Sequence, residues 1–193
     1  YLADKGKGSN YLDIQLTRNI KHKSLVIPVG KDFPNINWKY TLTYPGIYWT
    51  YIDFDDSNWL EGSTPIGDTS ECRTHVDLNG KSMYLRKKFY ANKNYIYTLY
   101  IASDDDVDIW INNILILNRS AYGQIYSYWN HIIDITNYIR NGENVIAIYL
   151  ADKGGANYFD AQLIKLPIIF NTVAYDQAIF NLTLINIGEG DLF

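Results

Sequence analysis

The chain has one cysteine, one methionine and three histidines in 193 residues. A single thiol, Cys72, excludes an internal disulfide. In a secreted protein it would be buried, modified or paired with another chain. His22, His75 and His131 are scattered and show no metalloprotease spacing. No GxSxG elbow is present, and Cys72 lies in no partner motif. Catalysis by this chain is therefore not expected. Basic residues are outnumbered 17 to 21, for a formal charge of −4, so the basic face needed by a nucleic-acid binder is missing. No apolar run approaches the roughly 18 residues of a membrane-crossing helix, and no segment of ordinary length has helical periodicity. The chain opens at Tyr1 with neither an initiator Met nor a leader, which suggests a processed or excerpted piece of a longer product.

Apolar and aromatic residues are abundant. Apolar residues make up 47% and aromatics 16%, including 18 Tyr, 7 Phe and 5 Trp. Such a chain can bury a full core, and tyrosine-rich segments suit strands. The central stretch, Tyr95 to Leu117, reads YIYTLYIASDDDVDIWINNILIL. Val107, Ile109 and Ile111 share one face and Asp108 and Trp110 the other, the period-two pattern of a half-buried strand. Ser103-Asp104-Asp105-Asp106 reads as the turn of a hairpin. Asn112-Asn113 reads as a second tight turn, because Asn tolerates positive φ. Further strands are expected over Tyr40–Tyr44, Tyr48–Ile52, Tyr84–Tyr90, His131–Thr136, Val145–Ala151 and Tyr158–Leu166. Asp55 to Ser57 would cap a short helical turn that holds Trp59 against the core. Many short strands and no long helix imply an all-β fold: a jelly-roll β-sandwich with extended N- and C-terminal strand segments.

The chain repeats itself once. Residues 1–16 read YLADKGKGSNYLDIQL, and residues 149–163 read YLADKGGANYFDAQL. With a one-residue gap, 12 of the 15 later positions are identical. A spacing of domain length implies tandem copies of a whole domain; a small internal duplication used as an extra strand is the alternative. The expected organisation is a terminal strand of a preceding repeat, or an exchanged strand, over 1–18. A connector over 19–37 would follow, then the jelly-roll domain over 38–166 and a C-terminal strand tail over 167–193. In that tail Phe180, Leu182 and Leu184 alternate on one face. Such a strand must pair somewhere, which makes it a candidate donor strand.

Taken in order, FDDSNW (54–59), GSTPIG (62–67), YLRKKF (84–89), IASDDDVDIWINN (101–113), ITNYIRNGENVIAIYLAD (135–152) and YFDAQL (158–163) carry a resemblance. They resemble the galactose-binding-domain-like β-sandwich, found beside the catalytic domains of bacterial glycoside hydrolases and in extracellular repeat proteins. The resemblance implies structural roles for Asp105-Asp106 and for Gly142-Glu143-Asn144. It places Asn112-Asn113 where the family usually has Asn-Gly. It also implies a non-catalytic module. Some members bind sugars through loops at one end, some hold a structural calcium, and many only join other domains.

Candidate sites follow from residue chemistry. Asp104, Asp105 and Asp106 offer oxygens to a structural calcium, although turn and cap hydrogen bonding is the favoured account of them; no other cofactor is expected. Tyr48, Trp49, Trp59, Trp110, Tyr122, Tyr126, Tyr128 and Trp129 offer rings to a polysaccharide or a protein partner. Tyr122, Tyr126, Tyr128 and Trp129 are the better candidates, because they lie in a loop-like segment. Asn118-Arg119-Ser120 and Asn181-Leu182-Thr183 are N-glycosylation acceptors, pointing to an extracellular or cell-surface glycoprotein. The expected function is a non-catalytic structural module that assembles with neighbouring copies of itself into a filament or surface layer, by tandem repetition or strand exchange. The alternative is a carbohydrate-binding module of a larger glycoside hydrolase or adhesin.

Overall fold

A computed structural model describes residues 24–118 and 128–168, together with the backbone of two strands at 170–175 and 178–183. Fourteen strands and one 3-10 turn are described. They are β1 (Ser24–Ile27), β2 (Asn37–Thr41), β3 (Leu60–Ser63), β4 (Ile66–Gly67), β5 (Thr74–His75), β6 (Ser82–Ala91), β7 (Tyr95–Asp104), β8 (Asp106–Ile111), β9 (Ile114–Leu117), β10 (His131–Asp134), β11 (Gly142–Ala151), β12 (Tyr158–Pro167), β13 (Phe170–Tyr175) and β14 (Ala178–Thr183). The turn is Thr136–Tyr138.

Two six-stranded sheets face each other. The first runs β10-β7-β12-β4-β5, with β1 also on β12; the second runs β3-β2-β6-β11-β8-β9. The alternation in the sequence explains the layers, because successive side chains of a strand point to opposite faces. Tyr97, Leu99 and Ile101 of β7 and Phe159, Ala161 and Leu163 of β12 face inward. They meet Met83 and Leu85 of β6, Val107, Ile109 and Ile111 of β8, and Ile146, Ile148 and Leu150 of β11. Trp38 is fully buried, and its ring meets Phe159 edge-on at 5.1 Å between centroids. Each such Leu, Ile or Phe contributes roughly 1.5–3 kcal/mol.

The expected all-β sandwich is therefore the fold, but the path differs from the expected hairpin at its centre. β7 belongs to the first sheet and β8 to the second, with only Asp105 between them. The acidic stretch is a crossover at the sandwich edge. Polar turn residues serve a crossover as well as a hairpin, so the local sequence reads the same for both. The Asn112-Asn113 turn between β8 and β9 is as expected, with φ of 51° and 69°. Asn112 also supports the neighbouring strand. Its Nδ2 donates to Asn144 Oδ1 at 2.7 Å, and its Oδ1 accepts from Val145 N–H at 3.0 Å.

Tyr48–Ile52 is a run of turns, not a strand, with Tyr51 N–H donating to Tyr48 C=O at 3.0 Å. No helical turn forms over Asp55–Ser57; Asp55 Oδ1 instead accepts from Ser57 N–H at 3.0 Å in an Asx turn. Trp59 lies outside the core, beside Trp49 and Phe54. The high strand preference of Tyr, Trp and Ile reflects packing on a pleated surface. Here they pack as a cover over the outer face of the second sheet. β13 and β14 pair with each other as a separate two-stranded sheet.

Candidate functional site

Tyr100, Ala102 and Asp104 of β7 and Tyr158, Asp160 and Gln162 of β12 alternate with the core residues, so they share the outer face of the first sheet. In register, Tyr100 lies opposite Gln162, Ala102 opposite Asp160 and Asp104 opposite Tyr158. Asp160 is fully buried there. A buried carboxylate requires donors, and Asp160 has them. Its Oδ1 accepts from Gly30 N–H at 2.9 Å and Ala161 N–H at 2.8 Å, and its Oδ2 from Lys31 N–H at 2.8 Å and Tyr128 O–H at 2.5 Å. Two chain segments far apart in sequence are thus clamped to β12 by one side chain. Arg73 holds the first of them from the other side, donating to Gly30 C=O at 2.9 Å and Lys31 C=O at 3.1 Å. Only glycine fits at position 30, because a Cβ would lie 2.3 Å from Thr64 C=O oxygen.

The clamp presents an aromatic corner. Lys31 Nζ lies over the Tyr128 ring at 4.7 Å. Trp129 meets Tyr128 at 4.6 Å and Tyr100 at 5.6 Å, both edge-on, and Tyr158 lies 6.1 Å from Tyr128. Burial, reinforced by the hydrogen bond to Asp160, drives the Tyr128 phenol far above its usual range, and burial raises Tyr158 as well. Both hydroxyls stay protonated at neutral pH. Burial also raises the Cys72 thiol and lowers His131. The corner offers half-buried ring faces and a cation, the equipment of a polar ligand contact.

Of the residues singled out in the sequence, Tyr128 and Trp129 are brought to this corner; Tyr122 and Tyr126 lie outside the described residues. Asp104 to Asp106 sit at the β7–β8 crossover. Asp105 accepts from Lys153 N–H at 2.6 Å, and buried Asp106 is ion-paired with Lys153 Nζ. Asp104 is pushed up to about 6 by burial and then by the adjacent Asp105. Among the described residues, no group of three His, Cys, Asp or Glu side chains is placed to hold a metal ion. Asn118 is exposed at the end of β9, and Asn181 stands opposite Thr172 on β14. Phe180 and Leu182, the candidate donor residues, stand opposite Val173 and Asn171 of the same chain. Leu184 lies outside the described residues. Trp49 is buried, and Trp59 and Trp110 are half-buried; Tyr48 is exposed.

The sequence reading missed Lys31, Asp160 and Arg86. Arg86, on the outer face of the second sheet, is 1% exposed. It donates to Asp56 Oδ2 at 2.7 Å, to Tyr51 C=O at 3.0 Å and to Trp49 C=O. It lines a cleft of about 290 Å³ with Asn37, Trp38, Lys39, Asp56, Glu61, Lys87 and Lys88. The cleft opens where β2 leaves β6, since the two pair only over Lys39–Thr41.

No protein-family model matches the sequence, and no curated protein sequence matches it. Solved structures do. A β-glycosidase from Bacteroides vulgatus superposes at a TM-score of 0.53 and 18% identity, over 78% of this chain and 24% of that one. A β-glucuronidase from Bacteroides uniformis gives 0.54 and 15%, over 78% and 18%. A β-glucuronidase from an uncultured Clostridium gives 0.51 and 14%, over 88% and 36%. The chain shares the β-sandwich fold of a part of each of these enzymes. It spans about a quarter of the first of these enzymes and less than two-fifths of the others. At these identities the likeness concerns the fold.

Proposed function

We propose that the chain is a non-catalytic galactose-binding-like module of a larger extracellular carbohydrate-active protein. Its saccharide contact is the corner formed by Lys31, Tyr100, Tyr128 and Trp129. The observation that carries this reading is the partial match. Most of this chain superposes on 18% to 36% of each glycosidase chain, the share of an accessory sandwich beside a larger catalytic part. The corner supplies what a pyranose needs: ring faces for its apolar side and a lysine for its oxygens. Asn118 and Asn181 would carry N-linked glycans in that setting.

Assembly into a filament by strand exchange has less behind it. Of its two candidate donors, the 167–193 tail and residues 1–16, the tail's β14 is already paired with β13 of its own chain, and the similar structures are enzymes rather than fibres. The test is a glycan array with the intact chain, followed by titration of any captured polysaccharide against Trp129→Ala. Saccharide binding that falls at least about tenfold, with an unchanged thermal midpoint, supports the assignment. Failure to retain any saccharide, or binding untouched by Trp129→Ala and Lys31→Ala together, would overturn it.

A further inference from the structure

The repeated motif gains meaning once its later copy is seen in place. Residues 149–163 run from the end of β11 into β12, and several of the identical positions bind distant parts of the sandwich. Asp152 Oδ2 accepts from Gly80 N–H at 2.7 Å, and Asp152 N–H donates to Lys81 C=O at 3.0 Å. Lys153 reaches Asp105 and Asp106. Gly154 turns with φ of 111°. Asn157 N–H donates to Asp68 Oδ1 at 2.8 Å. Tyr149 O–H meets Ser82 Oγ at 2.8 Å, and Asp160 clamps Gly30 and Lys31.

A free-standing strand has no use for this set of polar residues. Residues 1–16 nevertheless keep every counterpart: Tyr1, Asp4, Lys5, Gly6, Asn10, Tyr11 and Asp13. Two of the three differences fall in the core. Phe159 and Ala161 both face inward, and their counterparts are Leu12 and Ile14. One position shrinks while its same-face neighbour two residues on grows, as expected where both fill a packed interior. The partners in the present sandwich are already taken: Asp160 holds Gly30 and Lys31, and Asn157 holds Asp68.

We infer that residues 1–16 are the closing crossover and last strand of a second sandwich of the same kind, placed ahead of this one in the polypeptide. Seven residues, 17–23, separate that segment from β1. Eight Cα steps reach at most about 29 Å, and β1 is itself paired to β12. The two sandwiches are therefore close neighbours on a short tether that feeds directly into the second one's sheet. The inference is independent of saccharide binding.

A graft tests it. In the intact chain, residues 149–163 are replaced by a second copy of the 1–16 sequence; a control carries the same residues scrambled. The graft introduces Ala156→Ser, Phe159→Leu and Ala161→Ile and lengthens the turn by one residue. It should melt cooperatively within about 10 °C of the parent, whereas the scrambled chain should show no cooperative transition. A graft no better folded than the scramble overturns the inference. In a second arm, Leu12→Asp is made in the otherwise unaltered chain. An unchanged melting midpoint and monomeric elution are expected, because that segment's own sandwich lies elsewhere. A lowered midpoint would show residues 1–16 packed on the present sandwich. A dimer dissociated by Leu12→Asp would show strand exchange between chains. Either result overturns the inference.

Discussion

Asp160 and Arg86, on opposite outer faces of the sandwich, are both buried charges, and the two faces compensate them differently. On the first sheet, Asp160 is compensated by neutral donors: three backbone N–H groups and one phenol. On the second sheet, Arg86 is compensated by a carboxylate, two backbone carbonyls and the Phe54 ring, 5.2 Å from its guanidinium carbon. The first arrangement leaves no charge partner behind when it is removed, but it orphans several donors that hold two distant segments. The second orphans one carboxylate, and Asp56 is 18% exposed, so water can reach it. Among the described residues Arg86 also keeps one buried nitrogen, Nη2, without a protein acceptor. Asp160 is thus the more fully satisfied hub and should be the more costly to lose.

The largest expected effect is that of Asp160→Ala. It strands the Gly30, Lys31 and Tyr128 donors beneath their own loops. At about 1–3 kcal/mol for each unsatisfied buried group, partly relieved by hydration of the loosened loops, the loss should be about 3–5 kcal/mol in urea unfolding. Hydrogen exchange at Gly30 and Lys31 should rise with it. A loss under about 1 kcal/mol would mean that Arg73 alone holds the segment.

Arg86→Met should cost less, about 2–3 kcal/mol, because Asp56 can turn to solvent. A double-mutant cycle with Asp56→Asn should show coupling of about 1–2 kcal/mol. If Arg86→Met proves costlier than Asp160→Ala, the order of the two faces is reversed.

Why the sequence revealed the layers and one turn but neither hub follows from what each depends on. Core alternation in β7, β8 and β12 is local, so the layers were legible from Val107, Ile109, Ile111, Phe159 and Leu163. The Asn112-Asn113 turn was legible because positive φ is a property of the residue itself. The β7–β8 crossover was not, since Asp104 to Asp106 suit either a hairpin turn or a change of sheet. The segment 42–59 was misread for a related reason: Tyr48 and Trp49 favour pleated surfaces whether they form one or cover one. Asp160 and Arg86 have partners 30 to 130 residues away, and no local pattern announces such a contact. Asp160 did leave one trace, its reappearance as Asp13 in the repeat.

A smaller effect separates the ends of the sandwich from its faces. Asp104 at the crossover is raised to about 6 by burial and by Asp105, with Asp152 and Asp68 adding to it. A carboxyl whose folded value exceeds its unfolded value of about 3.8 holds its proton more tightly when folded. Stability is then highest below the unfolded value and declines as pH rises from about 4 to about 6. Asp104→Asn should remove that decline. The wild-type minus variant difference in thermal midpoint should therefore change across this window and be flat above it, with the variant the more stable at pH 7. A parallel pH course for the two proteins would remove Asp104 from this role.

The smallest effect belongs to the exposed counterpart of Arg86 on the same strand. Lys88 and Glu143 pair across β6 and β11 at 3.4 Å, with side chains 40% and 39% exposed. High dielectric and the entropy of two long side chains leave such a pair worth about 0.5 kcal/mol or less. Lys88→Ala should therefore move the urea midpoint barely beyond error, and added salt should erase even that, because surface pairs are screened. The contrast with Arg86, two residues earlier in the chain, is one of burial alone: same sheet face, same sign, opposite access to water. Should Lys88→Ala cost as much as Arg86→Met, water would not be what separates the two positions, and the ordering of the two faces would need another cause.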